Sequence, residues 1–208
     1  MNLLDNFINE CDIALKTLSF KKSGTGRSYP ANETSSFLSK EEKDLSVQLM
    51  RVNLAGEVAA QALYRGQAMV CKDAEIKNHL VQAGEEETDH LIWCKKRLEE
   101  LNGKPSILNP VWYAGSFAIG AIFGSFGEKT SLGFVEETEK QVVKHLEKHL
   151  DKVSKNDTET IEILKTMRAD EDEHAQEAIE NGSESLSEPT KKVMSFTAKV
   201  MTGSSAYI

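Results

Sequence analysis

Gly84-Glu85-Glu86-Glu87-Thr88-Asp89-His90-Leu91 places a glutamate and a histidine three positions apart. They fall in the middle of an apolar stripe formed by Ile76, Leu80, Ala83, Gly84, Leu91, Cys94, Leu98 and Leu101, while Glu85, Asp89, Lys95, Lys96 and Glu99 lie off it. The pattern predicts a helix over 73–101, ended by the Asn102-Gly103 stop signal. The pair recurs once, as Glu171 and His174 within Asp170-Glu171-Asp172-Glu173-His174-Ala175. Here too it sits on a stripe, with Leu164, Met167, Ala175 and Ala178, in a helix predicted over 157–181. Residues i and i+3 share a helix face, so each pair can offer one ion an oxygen and a nitrogen. With five histidines in the chain, chance supplies roughly 0.6 such matches, so two are not decisive by number. Their placement on core-facing stripes is what gives them weight.

A further candidate glutamate precedes each pair. Ser39 and Glu42 form a capping box opening a helix predicted over 40–70. Glu57 is the single charge on that helix's face of Met50, Asn53, Leu54, Ala60, Gln61, Tyr64 and Ala68; Arg51 and Arg65 point away. A lone carboxylate there is costly unless it is ion-paired, rim-exposed or metal-bound. A helix predicted over 128–154 carries Glu136, but its apolar centre runs through Leu132, Val135, Val142, Leu146 and Val153, nearer to Glu139. Spacing leaves both open. Two carboxylate helices and two Glu-x-x-His helices are the ligand set of a di-metal four-helix bundle. Four carboxylates would neutralise two divalent cations in a low-dielectric core, and such hard ligation suits iron or manganese. The fold expected is therefore all-α, a ferritin-like four-helix bundle with a long apolar crossover and extra terminal helices.

The crossover is residues 105–127, which contain no charged residue. Pro110, Asn109, Ser116, Ser125 and the glycines argue against a lone membrane span; packing on the bundle and dipping into a bilayer are both open readings. Residues 2–19 predict an amphipathic helix with Leu3, Leu4, Phe7, Ile8, Cys11, Ile13, Leu15 and Leu18 on its apolar side, 21–38 a loop, and 187–203 a final helix. Residues 1–38 thus form an N-terminal helix and linker of unassigned role, and 39–208 the bundle. A net charge of −8 without a basic cluster excludes nucleic acid as an expected partner. Cys11, Cys71 and Cys94 match no zinc or disulfide pattern and read as reduced thiols, Cys94 as core filler. No secretory signal is expected at Met1–Asp5. His79, His145 and His149 read as surface or partly buried residues, and Asp170 as either an outer partner of the ligands or a surface charge.

Five stretches carry a resemblance: Arg51-Val52-Asn53-Leu54-Ala55-Gly56-Glu57, Glu87-x-x-His90-Leu91, Pro110-Val111-Trp112 with the glycine-rich run after it, Val135-Glu136-Glu137, and Arg168-x-Asp170-Glu171-x-x-His174. Together they resemble the demethoxyubiquinol hydroxylases of ubiquinone biosynthesis, over about residues 45–200. The resemblance implies a di-iron monooxygenase with two Fe(II) ions, O2 as co-substrate and NADH as a candidate electron donor. It implies the ligands Glu57, Glu87, His90, Glu136, Glu171 and His174, taking Glu136 over Glu139. It also implies a polyprenylated quinol substrate, a peripheral position on the cytoplasmic side of the inner (cell) membrane, and partners among copies of the chain or other ubiquinone-biosynthesis proteins. Lys140-Gln141-Val142-Val143 departs from the aromatic or histidine residues that family variants place there. The rival expectations are a ferroxidase or iron-storage protein of the same fold and a non-enzymatic helical interaction module.

Overall fold

The structure, a computed structural model, describes residues 3–31 and 37–208. Asn2 at the start of the first expected helix, residues 32–36 of the expected linker, and the expected apolar roles of Leu3, Leu4 and Phe7 lie outside what it describes. Among the described residues there are helices and loops and no strand. The helices are α1 (Leu3–Leu18), α2 (Lys40–Val70), α3 (Ala74–Glu100), α4 (Asn109–Ser125), α5 (Glu128–Lys152), α6 (Thr158–Glu180) and α7 (Glu188–Ser205).

The ends follow from local chemistry. Ser39 accepts from the Glu42 backbone N–H at 3.2 Å while the Glu42 carboxylate accepts from the Ser39 N–H at 2.7 Å, the reciprocal box expected before α2. Asp73 and Asp157 cap α3 and α6 in the same sense. After α3 the chain turns through Asn102 at a φ of 57°, and the Gly103 N–H closes onto the Leu98 carbonyl at 2.7 Å.

Helices α2 and α3 pack as one antiparallel pair and α5 and α6 as another, and the two pairs close around a core that includes Met50, Leu54, Val58, Leu91, Leu98, Leu146, Leu164 and Met167. One end of the core is held by a buried ion network. Arg97 donates to Asp157 at 2.7 Å and to Thr160 at 3.0 Å, and the Ser46 hydroxyl donates to the same Asp157.

The uncharged segment 105–127 becomes α4, laid along α2. Its small residues let the backbones touch. A Cβ on Gly120 would come within 2.3 Å of the Leu63 carbonyl oxygen, and one on Gly66 within 2.2 Å of that of Phe117. The opposite face of α4 is exposed and apolar at Val111 and Ile122, continued by Ile107 and Phe126 in the flanking turns. The described residues contain no helix long and apolar enough to cross a membrane. The N-terminal α1 lies on α2, where buried Thr17 donates to Gln61 at 3.0 Å and Arg65 forks onto Glu10.

Candidate metal centre

The site forms because both Glu-x-x-His stripes face the seam between the helix pairs. Glu87 is wholly buried on α3, and Glu171 is nearly so on α6. His90 and His174 lie one turn along, and Glu57 comes in from α2. Ligand atoms of Glu57, Glu87, His90 and Glu171 lie within 4.8 Å of one another. His90 turns Nδ1 inward, 3.0 Å from Glu87 Oε2 and 3.2 Å from Glu171 Oε1. His174 does the same, with Nδ1 3.2 Å from Glu87 Oε1 and 3.4 Å from Glu171 Oε2.

On α5 the structure brings Glu139, not Glu136, to this seam. Glu139 is 2% exposed and accepts the Tyr64 hydroxyl at 2.8 Å. Its carboxyl is pushed well above the usual range by burial and then by the charges of Glu171 and Glu87, which places it in their field. Glu136 instead pairs with Lys140 at 2.5 Å on the helix flank and accepts from Ser183. The reason is helical phase: Leu132, Val135, Glu139, Val143 and Leu146 follow a three-four spacing and share the buried face, and Glu136 falls beside it. The resemblance implies Glu136, but the carboxylate that the structure brings to the seam from α5 is that of Glu139.

Behind the two imidazoles stand two acids that exchange helices. His90 Nε2 lies 2.8 Å from Asp170 Oδ2, on α6, and His174 Nε2 lies 3.0 Å from Glu86 Oε2, on α3. Asp170 thus serves the histidine of the opposite helix rather than His174, which follows it by four residues. Glu86 was not singled out by spacing. Its signal was the acidic residue standing immediately before the ligand glutamate in both repeats, Glu86-Glu87 and Asp170-Glu171. Each Nε2···carboxylate contact orients its ring with Nδ1 toward the seam, where that nitrogen can ligate a cation once its proton is given up.

The electrostatics are those of a cation site. Burial, then Glu87 and Glu171, pushes the Glu57 carboxyl well up. Glu87 goes the other way: burial would raise it, but His90 and His174 outweigh that and hold it below the ordinary carboxylate range. Burial alone would discharge His90, yet Glu87, Asp170 and Glu171 drive its pKa well up. Glu87 Oε1, Glu171 Oε2 and His174 Nδ1 are buried and make no hydrogen bond, although they face one another. Such orphaned groups are costly unless something else binds them. Four carboxylates and two imidazoles match two divalent cations in charge and hardness, so the residues fit the pair of iron ions expected. Thiolate ligation does not enter: burial and the nearby Glu57 push the Cys94 thiol up, and its sulfur contacts Met167 Sδ at 3.7 Å.

His79 and His145 are partly buried, as expected, whereas His149 is buried, 5% exposed, with its ring tilted against that of His145 at a centroid distance of 4.0 Å. A small cleft between α2 and α5 is lined by Ala60, Leu63, Tyr64, Gln67, Phe134 and Glu139, so it borders the site at Glu139.

Comparison with known proteins agrees with this geometry. A family model described as ubiquinone biosynthesis protein COQ7 matches residues 44–205. The chain is 49% identical, over all of its length and 98% of the relative, to a 3-demethoxyubiquinol 3-hydroxylase of Legionella pneumophila (strain Lens). It is 48% identical, over 97% of its length and 96% of the relative, to one of Francisella philomiragia, and 46% identical, over 98% of each, to one of Chromobacterium violaceum. Among solved structures, a dodecameric thioferritin of Bacteroides fragilis, a bacterioferritin-related protein, aligns with a TM-score of 0.55 at 22% identity, covering 67% of this chain and 84% of that one. That likeness establishes the ferritin-like fold. Matched across most of its length by the family model and nearly end to end by these relatives, the chain belongs to the COQ7 family of ubiquinone biosynthesis proteins.

Proposed function

We propose that this chain is a di-iron monooxygenase that hydroxylates the ring of a demethoxyubiquinol, the 3-demethoxyubiquinol 3-hydroxylase step of ubiquinone biosynthesis. The observation that carries it is the convergence of Glu57, Glu87, Glu139, Glu171, His90 and His174 on one buried seam, in a chain whose relatives bear that enzyme's name. The overall reaction replaces a ring C–H with C–OH, consuming O2, two electrons and two protons and releasing one water. Bound iron would supply the reduction of O2, which side chains cannot perform.

The protein's own part is ligation, orientation and exclusion of water. The four carboxylates hold the cation charge in a dry core. Asp170 and Glu86 hold the imidazoles with Nδ1 inward. Tyr64 steadies Glu139 from the cleft side. The cleft between α2 and α5 is the route we assign to the quinol ring. Its walls at Leu63, Gln67 and Phe134 are the residues α4 touches, through Gly120, Gly124 and Phe123.

A polyprenyl tail is soluble only in lipid. We therefore assign the uncharged outer face of α4, with Val111 and Ile122 exposed, and the exposed Val193, Phe196 and Val200 of α7, to the cytoplasmic surface of the inner (cell) membrane. The position is peripheral. NADH is a candidate source of the electrons.

The test is direct. Protein loaded anaerobically with Fe(II) is given a short-tailed demethoxyubiquinol, a reductant and 18O2. The expected product is heavier by one labelled oxygen atom. Iron oxidised and mineralised with no labelled quinol would favour a ferroxidase and sink this reading. Flotation with anionic lipid vesicles checks the membrane assignment; a wild-type chain that stays at the bottom of the gradient refutes it.

A further inference from the structure

The stretch between α1 and α2 lies outside the region matched by the family model, yet it is fastened to the outer wall of the metal centre. Residues 24–31 run along α3 as a strap. Gly24 lies so close to Asp89 that a Cβ would stand 1.9 Å from Asp89 Oδ1, so any side chain there would have to displace that carboxylate. The Thr25 N–H donates to Asp89 Oδ1 at 3.1 Å, and its hydroxyl donates to the other oxygen. The Arg27 guanidinium lies 4.9 Å over the Trp93 ring. The Tyr29 hydroxyl donates to Glu100 at 3.1 Å, with Lys96 Nζ 3.9 Å over its ring. The anchors Asp89, Trp93, Lys96 and Glu100 recur at three- and four-residue steps, one face of α3.

Arg27 is where the strap reaches the site. Its two terminal nitrogens fork onto Asp170 at 2.7 and 3.0 Å, and Asp170 Oδ2 is also the atom 2.8 Å from His90 Nε2. A planar fork fixes a carboxylate in direction as well as in place. Trp93, beneath the guanidinium, has its ring centroid 5.3 Å from that of His90. The other half of the site has no such clamp. The Glu86 side chain, which holds His174, is 31% exposed, and its other hydrogen bond comes from the Gln82 amide one turn back on α3, at 3.1 Å. Among the described residues no lysine or arginine forms an ion pair with Glu86; its charged partner is the His174 imidazole itself.

Resting on the metal-binding reading above, we propose that Arg27 is a positioning residue. By locking Asp170 it fixes the ring orientation of His90, and it makes the two halves of the centre unequal, the His90 half being the tighter cation site. The strap would thus set an order of filling that the near-symmetry of the two Glu-x-x-His helices does not contain. Loss of an outer partner of a ligating histidine typically weakens metal binding by about 10–100-fold.

The test is anaerobic titration of the full chain with Fe(II), and with Co(II) read by its visible absorption, in wild type, Arg27→Ala, Arg27→Lys, Glu86→Gln and Tyr29→Phe. Wild type should fill in two steps. Arg27→Ala should weaken the tighter step by about 10–100-fold and Arg27→Lys by less, because the point charge remains without the fork. Glu86→Gln should weaken the other step. Tyr29→Phe, which frees the strap elsewhere, should change neither. Two equal wild-type sites, unchanged steps in Arg27→Ala, or an equal effect of Tyr29→Phe would each overturn the proposal while leaving a metal enzyme standing. A wild-type chain that takes up no metal would overturn the underlying reading itself.

Discussion

Replacing Glu139 with glutamine, beside the same change at Glu136, separates the buried carboxylate from its neighbour one turn away. Glu139 is 2% exposed and sits in the field of Glu171 and Glu87, whereas Glu136 rests on the helix flank against Lys140. With both ions bound, Glu139→Gln leaves three carboxylates against two divalent cations, one positive charge uncompensated in a core site. Binding of one of the two ions should weaken by at least about 100-fold, the upper end of what losing a mere outer partner costs. Without metal the sign reverses. Burial and its acidic neighbours raise the folded carboxyl of Glu139, so its contribution to stability is full below the unfolded value and is lost as pH climbs toward the folded one. The slope is about 1.4 kcal/mol per pH unit for one group. Metal-free Glu139→Gln should therefore lose less stability than wild type between pH 5 and 7. Glu136→Gln surrenders a flank ion pair worth about 0.5 kcal/mol and should keep both ions. Metal content after anaerobic loading and urea midpoints of the metal-free proteins supply both readings. Glu136→Gln losing an ion while Glu139→Gln keeps two would refute the placement of Glu139 in the centre.

Gly120→Ala drives a methyl toward the Leu63 carbonyl oxygen, which cannot swing aside, and should cost about 1–3 kcal/mol in urea unfolding; an unchanged midpoint would mean α4 does not lie this close to α2. Arg97→Met leaves Asp157 buried without its cation and should cost about 3–5 kcal/mol, seen as a lower denaturation midpoint with unchanged metal content. Burial, with nearby cations, depresses His145 to about 4 and His149 to about 3. Both are then neutral when folded and take protons more readily unfolded, so stability should fall as pH drops below about 6.5, by about 1.4 kcal/mol per unit for each. His149→Leu should remove about half of that slope, and a slope unchanged in the variant would place the effect elsewhere.

Much of the fold was legible because long helices with clean apolar stripes carry their own boundaries. The capping box at Ser39 and the stop at Asn102-Gly103 set the ends of α2 and α3 to within a residue or two of those expected. Five of the six expected ligands, Glu57, Glu87, His90, Glu171 and His174, come together. Their residue-level signal was burial phase, which tertiary structure preserves. The same signal leaned toward Glu139, and the resemblance overrode it in favour of Glu136. A motif match carries no information about which side of the helix faces inward. What no pattern contained were contacts between segments distant in sequence. Arg27 meets Asp170 across 143 positions, and Asp170 serves a histidine 80 positions away. The loop residues 24–31 have no periodicity to betray the face they cover, so their role emerges only from packing.

The exchange of acids between α3 and α6 bears on how the molecule comes apart. Each helix pair, α2 with α3 and α5 with α6, is extensively packed within itself, and the pairs meet where the carboxylates gather. Without metal, like charges face each other along that meeting line, and the imidazole–acid bonds from His90 to Asp170 and from His174 to Glu86 are the rungs that tie it. Cations would act there as a clasp on a hinged case. The metal-free chain should breathe by parting its two halves along this line, with backbone amides beside Glu87 and Glu171 exchanging with solvent before those in the middle of α2, and metal should silence that motion first.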